Sequence, residues 1–303
     1  MAMDILIRGG TVVDPVAGTT IVENLGITRG TIVYLGQDSP EAGRTLDAQG
    51  MMVSPGFIDS HMHDEELDDP DTIQQALLRQ GVTTALAGNC GSGPLLSDVR
   101  PHRLRPWLNL AYLTGHRMLR QAVGIDDVYR PANDEEIAGM VRLLRGELEA
   151  GSFGLSFGLE YAPNTSADEI DALSAVVSGY PERLISVHIR YDGPDCVRAV
   201  DEVIDISRRF GVRVQISHIG SMTAFGHSAE ALEHTDRARA EGLDITMDCY
   251  PYAAFCTFVG STVFDPGFEE RWGKGLESLE AASGKHKGRS EERRVGKECR
   301  SRW

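Results

Sequence analysis

The chain has no lysine before Lys274, no two cysteines in a CxxC spacing, and no apolar run long enough to span a bilayer. The missing lysines exclude a carbamylated-lysine bridge between two metal ions in everything that precedes Lys274. The five cysteines, Cys90, Cys196, Cys249, Cys256 and Cys299, are odd in number and widely spaced. A disulfide framework or a zinc ribbon would need regular pairs, so neither is indicated, while one cysteine alone remains available as a metal ligand. Basic charge is also scarce, with a formal net charge of -15 and a pI near 5.0. Binding to a phosphate backbone needs a basic patch, so no nucleic-acid partner is expected. No membrane association is expected either, because a spanning helix needs about 20 apolar residues. Met1 to Gly10 shows no basic region followed by an apolar stretch, which points to a cytoplasmic protein.

What is present is an ordinary globular composition, 41% hydrophobic and 25% charged, which a packed core requires. Residues 1–55 hold short β-rich pieces, Ile5 to Arg8, Thr31 to Leu35 and Met51 to Val53, punctuated by Gly9-Gly10, Ala17-Gly18 and Arg29-Gly30. Small antiparallel strands with tight turns read this way, and they suggest part of a β-sandwich. From Gly56 the rhythm becomes apolar strand, polar loop, amphipathic helix, repeated. Strands are expected over Gly56 to His61, Val82 to Asn89, Leu108 to His116, Gly154 to Leu159, Arg183 to Arg190, Val212 to Ile219 and Asp244 to Tyr252. Helices are expected over Asp134 to Ala150, Ala167 to Ser178, Asp195 to Phe210 and Ser228 to Glu241. The expected fold is therefore α/β: an incomplete (β/α)8 TIM-like barrel over 56–288, one strand short of the usual eight, with a small N-terminal β-sandwich half-domain.

The first barrel strand closes on His61-Met62-His63. In a strand, positions i and i+2 face the same side, so both imidazoles can reach one metal ion. For this pair alone, a metal site and two separately hydrogen-bonded histidines stay equally open. The ends of the later strands carry Cys90, His188, His218 and Asp248. Catalysis in such folds sits at these strand ends, which favours the metal reading. Arg190 shares the strand face of His188 and is a candidate for a substrate carboxylate, with an internal salt bridge as the even alternative. Tyr250, Tyr252 and His227 are further substrate-binding candidates. His116 is divided between the site and a structural hydrogen bond, and His102, His234 and His286 read as surface residues.

The stretches GFIDSHMHDEEL, VTTALAGNCGSG, GSFGLSFGLEYAPN, LISVHIRYDG, VQISHI and DITMDCYPY resemble the amidohydrolase superfamily, and within it the N-acyl-D-amino-acid deacylases, or D-aminoacylases. The resemblance runs from the N-terminal β segment to about Trp272. It implies that Cys90, His188 and His218 hold a tightly bound zinc, with His61 and His63 forming a weaker second site. Zinc with an open position brings bound water to a pKa of about 7 and polarises the scissile carbonyl. The implied substrate is a small N-acyl-D-amino acid. The implied proton-transferring aspartate comes from an eighth strand, and no residue of this chain is expected to fill that role. Two positions depart from the family pattern. Gly220 stands where a lysine is common, and Cys256 where a serine is common, which leaves the preferred amino acid open.

Other amide or cyclic-amide hydrolases of the superfamily, such as an N-acyl-D-glutamate deacylase, are the alternative, as is a non-catalytic protein of the same fold. Residues 289–303 break the pattern. They hold six basic and three acidic residues without strand or helix periodicity. This segment resembles translated sequencing adapter, and the expectation is a truncated chain with a non-native tail.

Overall fold

A computed structural model describes residues 2–63, 73–98, 107–284 and 287–288. The 289–303 tail, His102 and His286 lie outside the described residues. The chain divides into two compact units, Met1–Phe57 and Ile58–Trp303. Among the described residues, no helix is long and apolar enough to cross a membrane.

In the first unit, β1 (Met3–Asp14) pairs antiparallel with β2 (Thr19–Thr28), and β2 pairs antiparallel with β3 (Thr31–Gly36). The β2–β3 turn is Arg29-Gly30, with φ of 50° and 75°, the positive values that a two-residue hairpin turn of compatible twist requires. β4 (Ala42–Asp47) and β5 (Met52–Val53) run parallel to β1. The sheet is therefore mixed, which corrects the expectation of antiparallel strands throughout. The segment between β3 and β4 carries the chain from one edge of the sheet to the far side of β1. Such a crossover and a reversing turn use the same polar residues, so sequence does not separate them. β2 itself escaped the sequence reading because Glu23-Asn24 interrupts its apolar run. Asn24 is buried, accepts a hydrogen bond from the Gly9 amide at 2.7 Å and donates to the carbonyls of Gln37 and Asp38.

Among the described residues, the second unit holds two sheets. β6 (Phe57–Asp59), β7 (Val82–Ala87) and β8 (Asn109–Tyr112) form one. β9 (Thr114–Gly115), β10 (Gly154–Gly158), β11 (Leu184–His188), β12 (Arg213–Ile216) and β13 (Ile245–Met247) form the other, with the order β13-β12-β11-β10-β9. All pairs in the larger sheet are parallel, as is β7–β8. The strand expected over Leu108 to His116 is broken at Leu113, whose amide bonds the Ala87 carbonyl at 2.9 Å while β9 joins β10. His116 then opens helix α2 (His116–Ala122) instead of ending a strand, after α1 (Gln75–Arg79).

The other helices are α3 (Asp134–Ala150), α4 (Ala167–Ser178), α5 (Cys196–Phe210), α6 (Ile219–Met222), α7 (Ser228–Ala240) and α8 (Phe268–Trp272). α3 starts at a capping box in which Asn133 and Glu136 bond each other's amides, and it stops at Gly151, where φ is 114°. Leu144 and Leu148 of α3, Leu173 and Val177 of α4, and Val200 and Val203 of α5 bury against Phe157, Ile185, Val187 and Val214 of the strands. Each such side chain contributes about 1.5–3 kcal/mol of apolar burial. Helices cover the parallel strands so fully that every residue of β10 is buried.

Candidate metal centre

The segment after β6 is clamped before any ligand is considered. The Met62 amide bonds the Leu86 carbonyl at 3.0 Å, and the Asn89 amide bonds the Met62 carbonyl at 3.2 Å. The Asn89 side-chain nitrogen donates to the carbonyls of Met62 and Leu86, while its oxygen accepts from the Ser186 hydroxyl at 2.7 Å. One buried amide thus ties the His61-Met62-His63 segment to β7 and β11. Cys90 follows in a left-handed conformation, φ 55°, which turns it at the end of β7. Gly158 at the end of β10 makes this possible, because a Cβ there would stand 2.2 Å from the Cys90 carbonyl oxygen.

Cys90 Sγ lies 3.4 Å from His61 Nε2 and 3.4 Å from His218 Nε2. The three donor atoms fall within 4.8 Å of one another, the sole grouping of three or more His, Cys, Asp or Glu donors of this kind among the described residues. A thiolate and two imidazoles are the donor set that suits zinc, and three ligands leave a position open for water or substrate. His61 turns its other nitrogen, Nδ1, to Asp248 Oδ2 at 3.1 Å. Asp248 Oδ2 also accepts from Gln215 Nε2 at 2.7 Å, and Oδ1 accepts from the His218 amide at 2.6 Å. Burial opposes the charge on Asp248, but the bonds from His61 and the His218 amide outweigh it and hold the carboxyl below its usual range. Burial and the neighbouring imidazoles His188 and His61 keep His218 well below the ordinary histidine value, in the neutral form that a ligand needs.

His188 sits beside this triad, its ring centroid 4.6 Å from that of His218. Its Nε2 is 2.9 Å from Glu160 Oε2, while its buried Nδ1 has no hydrogen-bond partner among the described residues. Burial, aided by His61, lowers His188 to about 3. Burial also raises Glu160 to about 8, reinforced by Asp192 and opposed by Arg271. The resemblance implied Cys90, His188 and His218 as one zinc set. The donor atoms that converge are those of His61, Cys90 and His218, with the orphaned Nδ1 of His188 buried nearby.

Beside the centre lies a cavity of about 280 Å³ whose wall includes His63, Cys90, Arg117 and Tyr161. Tyr250, Tyr252, His227 and Arg190 do not line it. Arg190 is fully engaged, donating to Glu202 at 2.8–3.2 Å and to the Pro163 carbonyl at 2.7 Å. Tyr250 is half-buried and stacks on Tyr252, which is 73% exposed. His227 precedes α7. His234 pairs with Asp201 at 2.7 Å. His116 lines the cavity and makes the structural hydrogen bond of its second expected setting, to Glu169 at 2.7 Å.

A model of the amidohydrolase family matches residues 44–187. The chain is 35% identical to an N-acyl-D-glutamate deacylase of Alcaligenes xylosoxydans xylosoxydans over 85% of its own length and 58% of the relative's. It is 32% identical to a D-aminoacylase of the same organism, covering 94% of this chain and 66% of that protein. The crystal structure of an N-acyl-D-glutamate deacylase from Bordetella bronchiseptica, complexed with zinc and a phosphonate mimic of the tetrahedral intermediate, superposes with a TM-score of 0.74. Identity there is 30%, over 83% of this chain and 59% of that one. The chain belongs to the amidohydrolase superfamily and, within it, to the D-aminoacylase or N-acyl-D-amino-acid deacylase family. It spans about three fifths of the length of the deacylases just described.

Sequence reasoning noted Asp248 at its strand end but gave it no role, and it passed over Asn89, Glu160 and Gln215. Asp248-Cys249-Tyr250-Pro251 after an apolar strand was a usable signal for the first. The other three act through partners distant in sequence, such as Ser186 for Asn89, His188 for Glu160 and Asp248 for Gln215, so no local pattern marks them.

Proposed function

We propose that this chain carries the metal-binding part of a zinc-dependent hydrolase that cleaves the amide bond of N-acyl-D-amino acids. The observation that carries the reading is the convergence of Cys90 Sγ with His61 Nε2 and His218 Nε2 beside a cavity. Zinc bound there would supply a Lewis acid for the scissile carbonyl and an activated water at neutral pH. Cys90 and His218 are common to the geometric triad and to the family-derived set. The orphaned, buried Nδ1 of His188 supports adding that residue as a ligand.

Asp248 is assigned to holding His61, not to proton transfer, since both its oxygens are already engaged by His61, Gln215 and the His218 amide. His61 then keeps Nε2 free of a proton and aimed at the centre, with its Nδ1 proton on the carboxylate. His63, on the cavity wall, is assigned to a second ion or to the substrate amide.

The test is metal analysis of the purified protein, followed by assay of the zinc-loaded full-length enzyme on N-acetyl-D-methionine, its L-enantiomer and N-acetyl-D-glutamate. Zinc bound in a ratio near one per chain is expected of this chain, while selective release of a D-amino acid is expected of the full-length enzyme, which would supply the proton-transferring aspartate. Zinc binding that survives replacement of both Cys90 and His218 by alanine would remove the reading.

A further inference from the structure

We infer that Arg117 is the cation that receives the carboxylate of the ligand in the cavity beside Cys90; this rests on the proposed amide hydrolysis for the identity of the ligand. Among the described residues, the cavity wall carries two arginines, Arg117 and Arg120. Arg120 is consumed internally: it bonds both oxygens of Glu169 at 2.8 Å, and its other amino group reaches the Arg130 and Asp127 carbonyls. Arg190, for which the sequence left a substrate carboxylate and an internal salt bridge equally open, is consumed by Glu202 and Pro163 and stands off the wall. Arg117 makes no ion pair with any described residue.

Its position is also fixed relative to the metal centre. The Arg117 amide donates to the Gly91 carbonyl at 3.0 Å, directly after Cys90. Gly115, two residues earlier, lets this approach occur, since a Cβ there would stand 2.4 Å from the Gly93 nitrogen and 2.5 Å from the Gly91 oxygen. The start of α2 is thereby locked onto the Cys90 loop, and the base of the Arg117 side chain cannot drift away from it. Among the described residues, the rest of the wall includes the apolar Ile125, Val128, Ala162 and Phe258 and one acidic side chain, Asp126, besides the Arg117 cation. With Arg120 neutralised by Glu169, the described residues of the wall carry no excess of positive charge. Selection of an anion therefore falls to direct contact with one guanidinium, whose planar fork matches a carboxylate bidentately. The chemistry that fits is an acylated amino acid with a free carboxylate and an apolar remainder.

Calorimetric titration of the zinc-loaded protein with N-acetyl-D-methionine and with its neutral carboxamide tests this. The unmodified chain is expected to prefer the acid by about tenfold or more, the scale of one charge-assisted bidentate pair. Arg117→Met should erase the preference with zinc content unchanged, and Arg117→Lys should keep part of it. Equal binding of acid and amide by the unmodified chain, no binding of either, or a preference that survives Arg117→Met would overturn the assignment. Turnover is scored separately on the full-length enzyme: acid preference that depends on Arg117 without any hydrolysis there counts against the proposed reaction and leaves the role of Arg117 standing.

Discussion

Asp248 Oδ2 lies 3.1 Å from His61 Nδ1, on the ring nitrogen opposite the one that faces Cys90. The carboxylate fixes both the tautomer and the aim of the imidazole, a role that supporting carboxylates commonly play behind metal-bound histidines.

Asp248→Asn should therefore weaken zinc binding by about 10- to 100-fold, in line with the loss of such a partner elsewhere. Competition titration against a chromophoric chelator measures it. Unchanged affinity in a folded variant would mean that His61 is held by other contacts.

Cys90→Ser should abolish the thiolate-to-metal charge-transfer absorption of the cobalt-substituted protein, because a serine oxygen is a much poorer soft donor. Near-ultraviolet spectra of the two cobalt-loaded proteins decide the point. A band of undiminished intensity in the variant would place the metal away from Cys90.

Glu169→Ala should destabilise the second unit by about 3–5 kcal/mol, because it leaves Arg120 and His116 buried without their shared carboxylate. Glu169 is fully buried, and both partners are at most 3% exposed. Burial works against its charge, while His116 and Arg120 together keep its pKa below the usual value. Urea unfolding of the variant and parent compares them. A loss below about 1 kcal/mol would mean that the cluster relaxes around the gap.

The capping box of α3 predicts a pH effect with a definite sign. The Arg130 guanidinium and the Asn133 amide hold Glu136 at about 2, below the usual 4.5. A carboxylate with a depressed folded pKa stabilises above its unfolded value and loses that contribution as pH falls through the folded one. Stability should thus decline between pH 4.5 and about 2, and Glu136→Gln should flatten this part of the profile. Thermal melts across that range provide the readout, and parallel profiles for the two proteins would count against the box as a titrating element.

The helices were legible because their signals are local. Asn133 and Glu136 mark the start of α3, Gly151 marks its end, and the expected span of Asp134 to Ala150 is the observed one. Parallel strands were legible as apolar runs, yet the break at Leu113 was not, since Leu108 to Leu113 reads as one stretch while the pairing changes partner. At the site, donor-capable residues at strand ends could be named from sequence. Their grouping could not, because it depends on the left-handed turn at Cys90 and on which ring nitrogen Asp248 and Glu160 each occupy. Arg190 shows the same limit: its strand position left a substrate carboxylate and an internal salt bridge equally open, and its distance to Glu202, twelve residues on, reveals that the charge is spent.

Two of the donor residues hold backbone conformations that L-amino acids seldom adopt, with φ of 55° at Cys90 and 32° at His218. Each position is selected twice, once for a side chain that can grip an ion and once for tolerance of a left-handed bend. Glycine meets the second demand and fails the first, while a β-branched residue fails both. A mutational scan at these positions would separate the variants that still fold from the variants that still bind. Asparagine at position 90 is the substitution where the two sets should part, because asparagine accepts the left-handed region more readily than most residues but lacks the thiolate.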